Sequence, residues 1–399
     1  MKWEYDIITK KGERGNSMEI KKNIYYIGAN DEKIDLFESQ FKVSNGMSYN
    51  SYLIKDKKNV VFDTVDKSVT TSWLKKLEKA LDGEDVDYLI ISHLEPDHAY
   101  NIGLLAEKFP NMKIVGNAIT FNILLKFFEN INIENRKVLV KEGDTLQIGE
   151  HSLKFFMAPM VHWPEVMFTY EETEKILFSA DAFGKFGAIK DGDKWLDEAR
   201  RFYIGIVGKY GPQVQAILNK VQNLKIKMIC PLHGFVLKDN LMFYIEKYAK
   251  WSSYEPEEDG IIIACSSIHG NTLEAGRYLE SYLKNLKKNV HFIDLTREDF
   301  SEAVARAFQY SKLIIMSSSY NAGVFPTMEQ FLNNLKLRNY QKRKVAIVEN
   351  GTWAPSAGKT MKSILQEMKD IDIIEPIITI ESTMKDKTKA ELEELAKKM

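Results

Sequence analysis

Short apolar runs of five or six residues alternate along the whole chain with stretches in which apolar positions recur every three or four residues. The first pattern predicts buried strands and the second amphipathic helices, so the chain reads as α/β layering without repeats or low-complexity tracts. Strands are expected at 87–92, 153–158, 176–180, 226–230, 260–265, 312–316 and 344–348, and helices at 99–108 and 273–286. One break stands out. The polar, acidic stretch 252–260 contains Pro256 and Gly260, and an apolar strand restarts directly after it at Ile261. A linker there divides the chain into a domain at 18–254 and a second at 255–399, the latter of a size that suits one doubly wound domain.

At 399 residues the chain is long enough for two or three domains with their own cores. Lys plus Arg number 55 against 56 Asp plus Glu, so the overall basic footprint of a nucleic-acid binder is missing. The longest apolar runs, such as Ile261 to Cys265, are far below the ~18 residues of a membrane span, and no membrane partner is expected. Two cysteines, Cys230 and Cys265, with no C-x-x-C, exclude a disulfide framework, a Cys-ligated iron–sulfur cluster and a fused rubredoxin module. A reducing, cytoplasmic location is the expectation. Residues 1–17 lack the apolar centre of a signal peptide. Their segment Lys11-Gly12-Glu13-Arg14-Gly15 would be encoded mostly by purines, as a ribosome-binding site is, which makes 1–17 an extension or leader and Met18 the expected start.

Chemistry concentrates where strands end. The run 87–92 leads into His93-Leu94-Glu95-Pro96-Asp97-His98, four ligand-type side chains in six residues, enough for more than one metal. The placement recurs: His162 follows the run 153–158, Asp181 follows 176–180, and His233 follows 226–230. In open α/β sheets such loops gather at the carboxyl edge and form the site. Four of the seven histidines lie on these loops; His151 and His291 have no such setting and are expected at the surface.

The string His93-x-Glu95-x-Asp97-His98, followed by His162, Asp181 and His233-Gly234, resembles the metallo-β-lactamase fold in its flavodiiron version. Hydrolases of that superfamily carry His where Glu95 stands and mostly bind zinc. A carboxylate in place of an imidazole makes the site harder and more anionic, which suits iron. The resemblance implies one iron held by His93, Glu95 and His162, a second by Asp97, His98 and His233, and Asp181 bridging them. It also implies that Tyr203 donates a hydrogen bond near the irons without binding them.

After the strand 260–265, Ser266-Ser267-Ile268-His269-Gly270-Asn271-Thr272 opens a helix, offering backbone N–H groups, hydroxyls and the helix dipole to a phosphate. It has neither the Gly-Lys-Ser/Thr of a Walker loop nor G-x-G-x-x-G. Two more loops follow strands: Ser317-Ser318-Ser319-Tyr320-Asn321-Ala322-Gly323 and Glu349-Asn350-Gly351-Thr352-Trp353-Ala354-Pro355. The set resembles the flavodoxin fold. In that fold the first loop, here Ser267 to Thr272, binds the FMN phosphate, and the next two, here Ser319 to Gly323 and Asn350 to Ala354, enclose the ring. His269 stands where flavodoxins often have Thr, and the third loop departs from their usual Gly-aromatic-Ser/Gly pattern.

The expected architecture is therefore an N-terminal αββα metallo-β-lactamase-like domain followed by a C-terminal flavodoxin-like doubly wound parallel sheet. That order is the one found in flavodiiron proteins. The resemblance implies an oxidoreductase that reduces dioxygen to water or nitric oxide to nitrous oxide at two non-haem irons, with FMN relaying electrons. It further implies a head-to-tail homodimer or a tetramer built from it, and a separate donor such as rubredoxin, or a reduced deazaflavin. Two rivals stand beside it: a zinc hydrolase with an accessory flavodoxin-like domain, which Glu95 disfavours, and a redox-sensing protein with a vestigial metal site, which the full set of ligand types disfavours.

Overall fold

The computed structural model describes residues 17–129 and 131–399, and the expected leader thus falls almost wholly outside the described residues. Contacts divide the chain into two units. One runs up to Tyr203 and resumes at Pro212–Ala249; the other comprises Ile204–Gly211 and Lys250–Met399.

The first unit is built on two sheets. The larger has seven strands in the order Met18–Lys21, Ile24–Tyr26, Tyr52–Ile54, Val60–Phe62, Tyr88–Ile90, Lys113–Gly116 and Lys137–Leu139. From Val60–Phe62 onward its pairs are parallel. The second sheet contains Thr145–Gln147, Ser152–Met157, Met167–Glu171, Ile176–Phe178 and Met228–Cys230, the last two parallel. Apolar side chains of both sheets form one buried cluster, in which Phe62 stacks on Phe178 with ring centroids 3.9 Å apart. Helices cover the outer faces; Thr70–Leu81, for example, buries Trp73, Leu77, Ala80 and Leu81. With both faces covered, strands such as Val60–Phe62 and Ile176–Phe178 are apolar throughout, without polar alternation.

Parallel pairing decides where the site lies. Phe62 is opposite Ile90, and Phe178 is opposite Cys230, so the loops carrying Asp63, His93, Asp181 and His233 all leave at strand carboxyl ends.

The second unit is a parallel sheet with strand order Val290–Asp294, Glu258–Ser266, Tyr310–Tyr320, Arg343–Asn350, Ile371–Ile380. In sequence rank this is 2-1-3-4-5, the flavodoxin-like doubly wound order. Its phosphate-type loop precedes the helix Asn271–Asn285, with Gly270 at the N-cap at φ 96°, a conformation open to glycine at little cost.

Three expectations need correction. The helix 99–108 is two pieces, Pro96–Ala99 and Ile102–Lys108, because Pro96 begins a turn of helix before the ligand-bearing segment has ended. The second expected loop remains strand as far as Tyr320, since Ser319 and Tyr320 pair with Val324 and Gly323 in a hairpin. His151 is buried, not at the surface, because its Nδ1 lies 3.0 Å from the buried Glu171 carboxylate; His291 is half-buried with its ring stacked on Tyr310.

Candidate functional site

The backbone after Tyr88–Ile90 is set by a buried carboxylate. Asp63 accepts hydrogen bonds from the amides of Ser92 and His93, at 2.7 and 3.2 Å. Glu95 then caps the helical turn Pro96–Ala99, and the His98 amide donates to the Glu95 carbonyl at 2.9 Å. This turn brings side chains that are close in sequence to two adjoining positions.

The first position gathers His93, Glu95, His162 and Asp181, and the second Asp97, His98 and His233; within each, the ligand-type atoms lie within 4.8 Å of one another. His162 Nε2 is 3.1 Å from both Glu95 Oε2 and Asp181 Oδ2, and His93 Nε2 is 3.3 Å from Glu95 Oε2. On the other side, Asp97 Oδ2 is 3.4 Å from His98 Nε2 and 3.3 Å from His233 Nε2, while Asp181 Oδ1 is 3.1 Å from His98 Nε2. Asp181 therefore turns one oxygen to each group. Glu95 keeps partial exposure; the other six side chains are buried.

Outer hydrogen bonds orient the rings. His93 Nδ1 lies 2.8 Å from Glu165 Oε1, and His233 Nδ1 lies 2.7 Å from the Ser48 carbonyl, so donation outward turns each Nε2 lone pair into the site. Asn50 ties down the His233 loop by donating to the carbonyls of Pro231 and Gly234 at 2.8 and 2.7 Å. Tyr203 is buried after the helix Leu196–Phe202; its ring packs edge-on against Tyr248, whose hydroxyl accepts the Phe183 amide two residues beyond Asp181.

Electrostatics point the same way. Burial works against a charged His98, but Asp97 and Asp181 outweigh it and raise its pKa to about 8. Burial is likewise outweighed at His162, where hydrogen bonds to Asp181 and Glu95 raise the imidazole to about 9. Burial would raise Glu95, yet His162 and His93 hold it well below the usual carboxylate range, and the surrounding imidazoles do the same for Asp181. Both Asp97 oxygens and Asp181 Oδ1 are buried and have no hydrogen-bond donor. Lone pairs and negative charge converging on two points need cations there, and a set of imidazoles and carboxylates fits iron, zinc or manganese.

In the second unit a cleft of about 470 Å³ lies at the strand carboxyl ends. Of the expected residues it is lined by Ser267, Ile268, His269, Asn271, Thr272, Ser319, Tyr320, Asn321, Asn350, Gly351, Thr352, Trp353 and Ala354. Gly270, Ala322 and Gly323 do not line it; they shape its loops, Gly270 as N-cap, Ala322 in the hairpin turn and Gly323 in the strand that pairs back on Tyr320. Ser318 and Ser382 join the lining; Ser318 Oγ is 3.1 Å from Thr272 Oγ1, and Ser382 Oγ 2.7 Å from Thr352 Oγ1. Trp353 is 90% exposed at the rim.

Sequence reasoning missed Asp63, Glu165, Ser48 and Asn50. Asp63 directly follows the apolar run 60–62, the same signal that flagged Asp181, and Glu165 stands three residues after His162. Ser48 and Asn50 carry no such mark, because their role is to meet backbone groups from a distant loop.

Residues 47–234 match a family model described as ODP family beta lactamase. The chain is 29% identical to an uncharacterized protein of Methanocaldococcus jannaschii, over 88% of this chain and 90% of that one. It is 28% identical to the anaerobic nitric oxide reductase flavorubredoxin of Vibrio vulnificus, over 84% of this chain and 70% of the relative. Among solved structures, the rubredoxin oxygen:oxidoreductase of Desulfovibrio gigas superposes with a TM-score of 0.89 at 24% identity, covering 96% of this chain and 97% of that one. The flavodiiron protein of Giardia intestinalis gives a TM-score of 0.89 at 22% identity, with 97% and 96% covered. At such identities the superpositions speak for the shared fold.

Proposed function

We propose that the chain is a flavodiiron oxidoreductase that reduces dioxygen to water, nitric oxide to nitrous oxide, or both. The observation that carries this reading is the pair of ligand groups sharing Asp181, on a chain whose second unit has a flavodoxin-like sheet with a cleft at its carboxyl edge.

In this reading His93, Glu95 and His162 hold one iron, Asp97, His98 and His233 the other, and Asp181 joins them. Ser267 to Thr272 receive the FMN phosphate on the amides of the helix start, while the loops around Tyr320 and Trp353 flank the ring. Bound there, two irons and a flavin would supply electrons one or two at a time, enough for four per dioxygen or two per pair of nitric oxide molecules. The protein orients the ligands and keeps bulk water out. Glu165 and the Ser48 carbonyl fix the ring tautomers, burial of six of the seven ligand side chains strengthens their field, and Glu95 alone keeps partial contact with solvent. Tyr203, through Tyr248, braces the loop that carries Asp181. A one-electron donor such as rubredoxin and a head-to-tail second copy complete the reading.

Anaerobic purification followed by elemental analysis and an absorption spectrum tests it. About two irons and one FMN per chain are expected, with consumption of dioxygen or nitric oxide once reduced rubredoxin is added. Stoichiometric zinc without flavin would overturn it in favour of hydrolysis.

A further inference from the structure

The two ligand groups are matched in their inward-facing atoms: each has two imidazoles and one carboxylate of its own, and they share Asp181. They differ behind the imidazoles. His93 Nδ1 is 2.8 Å from Glu165 Oε1, and the Glu165 side chain has no solvent exposure. The same oxygen accepts the Leu94 amide at 2.9 Å, while Oε2 is buried without a donor. Among the described residues, no carboxylate hydrogen-bonds the outer nitrogen of either imidazole of the second group, although the charge of Asp63 acts on His98 through space. His233 Nδ1 faces the neutral Ser48 carbonyl at 2.7 Å, and His98 Nδ1 is buried without a hydrogen-bond partner. The other buried carboxylate nearby, Asp63, takes the backbone amides of Ser92 and His93 through Oδ1 and bonds no imidazole.

A buried carboxylate with one oxygen unpaired is costly unless positive charge is close by. A single imidazole N–H and one amide are small compensation for full burial. A cation on the far side of the His93 ring supplies the rest, and the carboxylate in turn pushes electron density through the ring onto that cation. We propose that Glu165 is a positioning residue that makes the position of His93, Glu95 and His162 the tighter and more electron-rich of the two. With iron it retains its metal and its ferric state longer, and the position of Asp97, His98 and His233 exchanges and is reduced first. This rests on the two-metal reading above.

Glu165→Gln separates charge from shape, because the amide oxygen still accepts from His93 and Leu94. The as-isolated holoprotein, shown to hold two metals, is mixed with a chelator and its metal release followed, alongside a redox titration monitored by electron paramagnetic resonance. The native protein is expected to release metal in two phases and to show a mixed-valence window. In Glu165→Gln the slow phase should quicken by about 10- to 100-fold and the window narrow, with Glu165→Asp restoring both toward native. A slow phase unchanged in Glu165→Gln, or a single release phase in the native protein, overturns the inference. Fewer than two metals in the native protein overturns the reading beneath it instead. A measurement without any variant guards against misfolding: one equivalent of cobalt added to chelator-stripped protein should give anomalous scattering at the His93 group. Equal occupancy, or occupancy of the His233 group first, refutes the proposal.

Discussion

His98 Nε2 and His233 Nε2 face each other at 3.1 Å, both buried, with the Asp97 carboxylate beside them. Because His233 Nδ1 faces a backbone carbonyl, its Nε2 is turned inward as a lone pair. A shared cation reconciles the two nitrogens, and the same relationship fixes what should happen when one is removed.

Replacing His98 by Ala takes one imidazole from the second position and leaves Asp97 and His233 short of a ligand. Metal content should fall from about two to about one per chain, while flavin content stays constant. Elemental analysis with an absorption spectrum checks both at once, and joint loss of flavin and metal would contradict the assignment of the two sites to separate units.

The cleft gives the mirror-image experiment. Asn271 and Thr272 form the first turn of the helix after Gly270, and Thr272 Oγ1 lies 3.1 Å from Ser318 Oγ. The double change Asn271→Ala with Thr272→Ala removes polar groups from the phosphate end. FMN affinity should weaken about tenfold or more, a loss of roughly 1–3 kcal/mol, with metal unaffected. Fluorimetric titration of FMN into flavin-free protein reads this.

Metal-stripped protein should have a stability profile set by its ligands. His98 at about 8 and His162 at about 9 lie above the usual imidazole value near 6.5, so the folded state binds more protons than the unfolded state between those values. Their contribution is fully present below about pH 6.5 and lost as pH rises through 8 to 9. Glu95 and Asp181 are held low, so their contribution is present above the usual carboxylate range and lost as pH falls below it. The melting temperature of stripped protein should therefore drop by several degrees from pH 6.5 to 9. Reloading with metal should flatten that slope, and a stripped protein whose melting is level across this range would show the imidazoles to be unperturbed.

Phe178 joins the two sheets beneath the site through its stack on Phe62. Phe178→Ala removes a ring that is 2% exposed and should cost about 3–5 kcal/mol, read by chemical denaturation. The cost should fall on the first unit, so flavin binding at low denaturant should survive.

Much of the site is legible along the chain. His93, Glu95, Asp97 and His98 sit within one turn of backbone, and His162, Asp181 and His233 each follow an apolar run, so residue type and position alone mark them. The three cleft loops are marked in the same way by small residues after strands. What periodicity conveys less well is where such segments change state: Pro96 divides an expected helix, and pairing with Gly323 and Val324 draws an expected loop into strand.

The sequence by itself determined the ligand types, their order and the α/β alternation, because these depend on local chemistry and on which positions must be buried. Tertiary structure alone decided that Asp181 lies between the two groups, that Glu165 stands behind His93 at 2.8 Å, and that the Ser48 carbonyl orients His233 across 185 positions of chain. Strand pairing creates these neighbours, parallel beside His93, Asp181 and His233 and antiparallel around Glu165 and Ser48. It brings loops from distant parts of the chain to one edge, where hydrogen bonds and charge act through space and leave no periodic trace in the order of residues.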